Sequence, residues 1–541
     1  MYRNKILKLS LVVCFLLSSQ LLQAGSPGGS SSSVFVGLVV LIIIFLFAVI
    51  ITIANKLLKL TADRVGATKT GENFSVIPTL KDLFGSDGAS TSGKIVLDKG
   101  FDIPLAGAAD TTTLSNAKSA TYAIKPIDIQ GMSPIPKVVV LAGESVKAGD
   151  VVFFDKKNPA VKYVAPVSGE LVELNRGAKR RIDELVILAD KKIEYKSFDA
   201  PSLGASREEL INFLAESGGL AFIRQRPYNV AVNVEETPRD IFISTFDTAP
   251  LAPDLSFAIQ GKEAAFQKGL DVLNKLTTGS VYLGIDGRAG ATVSPAFANA
   301  KGVKSTAFAG KHPAGVVGIQ IHHTAPINKD EIVWTLDVQA VATIGTLFLE
   351  GRYDASRVVA LTGAELATPK YVNTYQGASI GELTQGEVEN ANSRYVSGNV
   401  LTGTQVSQKG FLGFFDSQVT VLAEGDQHEM FGWLVPIKAR SSISPTIPTG
   451  LYPEKWVAHT NTHGEKRAFV MTGQYESVTP MDIYPQHLLK SILVNDFERM
   501  EGLGLYELVE EDLALCEFVC TSKQDIQAIL RQGLDMMREQ G

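Results

Sequence analysis

The stretch AGDVVFFDKKNPAVKYVAPVSGELVELNRGAKR, from Ala148 to Arg180, decides how the middle of this chain folds. Short β-prone runs alternate with Gly, Asp and Pro turns, the texture of a small sandwich or barrel. Lys156 and Lys157 fall on the first hairpin, where a lipoyl or biotinyl carrier domain displays its modified lysine. The APVSG that follows is the turn such a domain uses on its other half. A modifying enzyme reads a lysine at a tight tip with short flanking residues. Here Asn158-Pro159 follows the pair, and the biotin-type Met-Lys-Met is absent. The stretch therefore reads as a carrier shape kept as a scaffold, with no swinging arm.

Working outward, the β texture begins at KIVLDKGFDIPLAG (from Lys94) and continues through KVVVLAGESVKAGDVVFFD to LVILAD, ending at Asp190. A helix follows, with Ser206 as N-cap and Glu209 completing a capping box. Strands at DIFISTFD and SVYLGID flank a helix at GKEAAFQKGLDVLNKL, the βαβ rhythm of an α/β domain. Short strands with a tight turn fill RVVALTGAELATPKYVNTYQGASIGELT. The tail reads as helical. One helix is expected across MDIYPQHLLKSILVNDFERMEGLG, and another across SKQDIQAILRQGLDMMREQ, with Ile526, Ile529, Leu530, Leu534 and Met537 on one face. No internal repeat is present.

The N-terminus has a different character. Arg3, Lys5 and Lys8 precede an apolar run that ends at Ala24, the pattern of a signal-peptide-like leader over residues 1–24. A Gly/Ser linker leads to Val34–Ala54, an uncharged apolar run long enough to cross about 30 Å of hydrocarbon as a helix. Lys56, Lys59 and Arg64 follow it, which directs the rest of the chain to the cytoplasmic side. Residues 55–92 read as a tether, with one amphipathic patch, SVIPTLKDLF.

The whole-chain balance excludes some classes. The 541 residues suffice for three or four domains at roughly 150 residues each. A net charge of -6 from 51 basic and 57 acidic side chains argues against a nucleic-acid partner. Outside the leader only Cys516 and Cys520 remain, too few for a disulfide framework, and a reducing compartment fits best.

Taken together, KIVLDKGFDIPLAGAAD, DKKNPAVKYVAPVSGELVELNRGAKR, FAGKHPAGVVGIQIH, VVALTGAELATPKYVNTYQGASIGELT and EEDLALCEFVC resemble the A-subunit family of the Na+-translocating NADH:quinone oxidoreductases (Na+-NQR). The resemblance runs in order from about Lys94 to Gly541; the leader and span are additions to it. It implies an α+β multidomain body behind a transmembrane helix. A barrel-sandwich hybrid (biotinyl/lipoyl-like) is expected over 93–192 and a Rossmann-like α/β domain over 193–345. A ubiquitin-like β-grasp domain (346–420) and a helical C-terminal domain (421–541) complete it. The layout is also similar to the flavin-binding subunit of respiratory complex I and its Rnf counterpart. The implied function is that of a cofactor-free, non-catalytic subunit of a complex that oxidises NADH, reduces quinone and exports Na+. Flavins and iron–sulfur centres would belong to the other subunits. The implied partners are those subunits, the membrane and quinone, and the expected place is the inner membrane, with one anchor and a cytoplasmic body.

Individual site motifs stay modest. The Gly-rich stretch GRAGATVSPAFANAKGVKSTAFAGKHPAGVVG contains neither a P-loop nor a dinucleotide fingerprint, and reads as structural loop. Iron–sulfur binding needs clustered cysteines, usually four, so Cys516 and Cys520 read as a packed thiol pair. His459 and His463 in HTNTH have zinc-like spacing without the HExxH base, and read as loop. Arg176, Lys179, Arg180 and Arg181 decorate a hairpin that could meet an acidic partner. His312 and His322 lie within the resembled motif and are the quinone-facing candidates, set against the plainer reading of satisfied structural histidines. No catalytic residue and no metal ligand is assigned. Two other classes compete with the reading as one part of a complex. A membrane-anchored envelope transport adaptor requires a periplasmic body and long heptad hairpins, and a stand-alone flavin or NAD enzyme requires phosphate loops. The sequence has neither.

Overall fold

The computed structural model describes residues 94–427, 443, 454–470 and 473–540, all within the compact unit Ser92–Gly541. The leader, the apolar run Val34–Ala54, its basic flank and the tether lie outside the described residues. Among the described residues no helix is long and apolar enough to cross a membrane.

The carrier-like stretch folds as two facing sheets. One orders Thr121–Ile124, Ile182–Ala189, Gly169–Arg176 and Ser145–Val146; the other orders Lys137–Val138, Val151–Phe154 and Lys162–Val164. Inward-facing Phe153, Tyr163, Val167, Leu171, Leu185 and Ile187 are buried between them, as the period-two pattern requires. Phe153 and Tyr163 stack at 4.8 Å.

The α/β part is built on a seven-stranded sheet. Its order is Lys94–Val96, Val303–Ala309, Val281–Asp286, Asp240–Ser244, Val333–Leu336, Arg224–Arg226, Val230–Ala231. The first five run parallel; Arg224–Arg226 runs antiparallel to them and Val230–Ala231 antiparallel to Arg224–Arg226. The expected capping box is present. Ser206 Oγ accepts the Glu209 N–H, and the Glu209 carboxylate accepts the Ser206 N–H. The helices Glu263–Leu273 and Val338–Glu350 cross at Gly269 and Gly345, where a Cβ would fall on the carbonyl oxygens of Val341 and Ala265. Both glycines are there for close approach, which offsets the roughly 1 kcal/mol helix cost of each.

A mixed sheet follows, ordered Thr404–Val406, Ser393–Ser397, Gln418–Ala423, Ser356–Thr362, Lys370–Tyr375, Asp110–Asn116. The C-terminal region packs the helices Gln474–Val478, Pro485–Leu493, Phe497–Gly502, Ala514–Val519 and Ile526–Gln540 around a core of its own. Ile526, Ile529, Leu530, Leu534 and Met537 are all buried in it.

Two expectations are corrected. The run Met481–Gly504 is two helices, because Asn495 takes a φ of 55° and Asp496 then caps a new start by accepting the Arg499 N–H. The β texture from Lys94 does not all enter the sandwich. Lys94–Val96 pairs with Val303–Ala309, and Asp110–Asn116 pairs with Lys370–Tyr375.

Candidate functional site

Folds of these kinds offer a cofactor three places, and this chain fills each with its own groups. The first is the carrier hairpin. Lys156 and Lys157 are exposed, but the loop beneath them is pinned. Buried Asp155 accepts the N–H groups of Ser133 and Lys157, and the Asn158 amide donates to the Val232 carbonyl at 2.6 Å. Tyr163 packs edge-on to Phe414 of the mixed sheet, so the domain is wedged between neighbours.

The second is the point where strand order reverses, between Asp240–Ser244 and Val333–Leu336. Open α/β sheets bind ligands in the crevice at the carboxyl ends of such strands. Here the strand Ser356–Thr362 lies over it. Gln339 bonds Val358 twice, donating to its carbonyl (3.0 Å) and accepting its N–H (2.8 Å). Buried Arg357 reaches Asp337, the N-cap of the helix Val338–Glu350, at 3.4 Å. Gln418 adds a bond to the Pro250 carbonyl.

The third is the N-terminal end of the helix Val317–Thr324, which follows the Gly-rich loop and would attract an anion. Asp512 occupies that position from the C-terminal region. A Cβ at Gly318 would fall on its carboxylate. Asp512 is fully buried and pairs with Arg226 at 3.0 Å, and Arg226 also holds Glu511 at 2.7 Å. Burial pushes the Asp512 carboxyl up and the Arg226 charge opposes this.

The histidines are placed apart. His312 is buried, with Nδ1 3.2 Å from the Thr248 hydroxyl, which also accepts the Gly315 N–H. Its Nε2 is buried without a hydrogen-bond partner, and burial lowers its pKa to about 4. His322 spends both ring nitrogens, Nδ1 on Glu507 (2.7 Å) and Nε2 as acceptor from the Asp482 N–H (3.1 Å). It ties the α/β part to the C-terminal region. His459 and His463 lie in a loop with rings 5.1 Å apart, and no metal-holding cluster occurs among the described residues. The two thiols are buried: Cys516 meets Thr479, Cys520 accepts the Tyr475 hydroxyl, and burial pushes Cys516 up to about 12. Such thiols are inert rather than nucleophilic.

One cleft of about 570 Å³ takes its lining from all four parts. Ile127, Asp128 and Ile129 come from the sandwich, Arg224 and Asn229 from the α/β sheet. Phe414 and Phe415 come from the mixed sheet, and Glu510 and Glu511 from the C-terminal region. Arg224 lies 5.2 Å from the Phe415 ring centroid. Asp128 bonds the Phe414 N–H (2.9 Å) and Lys125 (3.3 Å); burial pushes its carboxyl up and Lys125 opposes the rise. The Asn229 side-chain oxygen is buried there without a partner. Aromatic faces beside charged and polar side chains suit a small ring with polar substituents. Its walls come from seven chain segments, which no single-segment motif could have flagged.

Comparison with known proteins accounts for the same body. Residues 95–190 match the NqrA N-terminal barrel-sandwich hybrid domain, 205–353 the NqrA second alpha/beta domain and 358–408 the NQRA C-terminal domain. The chain is 38% identical over 453 residues to NqrA of Vibrio vulnificus (strain YJ016), the A-subunit of its Na(+)-translocating NADH-quinone reductase, covering 83% of this chain and 100% of the relative. The same-named proteins of Hahella chejuensis (38% over 454 residues) and Yersinia pestis (38% over 452 residues) match with equal coverage. The chain belongs to the NqrA family, the A-subunits of the Na+-translocating NADH-quinone reductases.

Proposed function

We propose that this chain serves its complex as a cofactor-free, non-catalytic body on which the other subunits dock. What supports this reading is that the hairpin, the strand-order crevice and the helix N-terminus are each filled by the chain's own residues. In the complex, NADH, flavin and iron–sulfur chemistry then belongs to the other subunits. The body is read as a barrel-sandwich hybrid, a Rossmann-like domain, a β-grasp domain and a helical domain, divided near residues 192, 345 and 420. Lys94–Asn116 lends strands to the second and third. Val34–Ala54 anchors it in the inner membrane, with the body in the cytoplasm. Extracted from native membranes, the chain should bring the other subunits with it. Its intact mass should be that of the bare polypeptide apart from leader removal, and a periplasm-only reporter after Gly541 should stay silent. A stoichiometric flavin, cluster or lipoyl mass would reject the reading.

A quinone-facing role fits the four-part cleft better than His312 or His322, because His322 has no ring nitrogen left and His312 is enclosed. In the assembled complex a photoreactive quinone should label the segment Gly413–Asp416 or Ile127–Gln130. Labelling confined to His312–His322 would return the role to the histidines.

A further inference from the structure

One outward face of the barrel-sandwich carries aliphatic side chains that the rest of the described body leaves uncovered. Ile135, Val139 and Leu141 are 39%, 50% and 68% exposed. Exposure alternates along residues 135–141, so they lie on the same outward side as Lys137. Lys137–Val138 is the edge strand of its sheet. Two contacts lay this run along the hairpin of Gly169–Arg176 and Ile182–Ala189. Near the tip, the Ile182 N–H donates to the Pro134 carbonyl at 3.0 Å; at the far end, the Gly143 N–H donates to the Leu171 carbonyl at 2.8 Å. Exposed Val172 therefore lies toward the Leu141 end, and the tip toward Ile135.

The tip holds Arg176, Lys179, Arg180 and Arg181. Lys179 and Arg180 are exposed and sit at φ values of 54° and 64°, a region that side-chain-bearing residues rarely adopt. Arg181 is paired with Asp183 at 2.6 Å. Of the nearby acids, Glu144 accepts the Leu141 N–H and Glu173 and Glu184 share the Asn175 amide, while Glu170 is exposed at the end away from the tip. Among the described residues, no ion pair is formed by Lys137, Arg176, Lys179 or Arg180.

We propose that this face lies against the headgroup region of an anionic bilayer, with the four cations on lipid phosphates and the aliphatic row entering the interface. Charge complementarity selects the occupant, since unpaired basic residues beside exposed apolar ones are the two elements of interfacial lipid binding. The shape agrees. The cleft described above is not lined by Ile135, Val139 or Leu141, whereas a protein hot spot is a pocket for an aromatic or Arg anchor. The proposal rests on the reading that the chain works at a membrane.

The test uses the full chain with Cys14→Ser and Leu141→Cys, labelled at position 141 with an environment-sensitive fluorophore; Cys516 and Cys520 are buried. It is reconstituted into phosphatidylcholine vesicles with or without phosphatidylglycerol. Flotation with phosphatidylcholine vesicles tests the anchor and is read separately. With phosphatidylglycerol, emission should shift to the blue and be quenched by headgroup-region doxyl lipid. Both effects should be lost in Arg176→Glu/Lys179→Glu/Arg180→Glu. They should also fall when salt shortens the screening length from about 10 Å at 0.1 M to about 3 Å at 1 M. Unchanged thermal unfolding of the charge variant would certify its fold. Equal signals with and without phosphatidylglycerol overturn the proposal. So does a shift seen only on adding the other subunits, which would make the face a protein interface.

Discussion

Asp512→Ala should destabilise the body by about 3–5 kcal/mol, the range for removing one partner of a buried ion pair. Asp512 is fully buried and Arg226 is 1% exposed, so the remaining guanidinium would keep one carboxylate, Glu511, with little water to replace the other. The pair is the clasp between the sheet strand Arg224–Arg226 and the C-terminal helices. Loss should therefore appear first as faster amide exchange in the helix Ile526–Gln540 and a lower urea midpoint. The double variant Arg226→Met/Asp512→Leu should recover most of the loss, because the fully buried charges go together and Glu511, which also loses Arg226, is 28% exposed to water. If the single variant stays within about 1 kcal/mol of the parent, the pair does not hold the junction.

The second large effect depends on pH. The folded-state pKa of His312 is depressed from 6.5 to about 4 by burial. Above pH 6.5 the imidazole is neutral in both states and its contribution is constant. Between 6.5 and about 4 the unfolded chain takes up a proton that the native chain refuses, so stability falls as the medium becomes acid. The full loss is about 3 kcal/mol, at 1.36 kcal/mol per pKa unit. Asp102, Glu511, Asp247 and Arg288 surround this region, and Asp247 is itself pushed up by burial. The comparison that isolates His312 is therefore with His312→Asn. The stability gap between parent and variant should move by about 3 kcal/mol in the variant's favour from pH 7.5 to pH 4. Parallel curves for the two proteins would mean that His312 is not the titrating group.

Local features were legible in the sequence wherever a few neighbouring residues decide them. Ser206 and Glu209 announce their helix because the capping bonds close within four residues. The stripe from Ile526 to Met537 announces its buried face by period alone. The sequence also contained the break at Asn495, since Asp496 three residues before Arg499 is a helix-start signal, but the apolar spacing on either side masked it. Partner choice across long separations was not legible. Asp512 stands in the motif EEDLALCEFVC, yet nothing in that motif names Arg226, 286 positions away. The cleft was hidden for the same reason. Asp128 finds the Phe414 N–H across another 286 positions, and neither side has a distinctive pattern of its own.

The path of Lys94–Asn116 bears on how the body is made. The Asp102 carboxylate meets the His312 N–H 210 positions later, and the Ser115 hydroxyl meets the Tyr371 carbonyl 256 positions later. At ribosomal elongation rates of roughly 5–20 residues per second, these strands emerge some 10–50 s before their partners exist. The sandwich behind them pairs almost entirely within itself and can close in that interval. The segment that leaves the ribosome first in the body is thus among the last to find its place. Release of the chain before Tyr375 has been synthesised would leave two strand edges open, so translation itself times the completion of the fold.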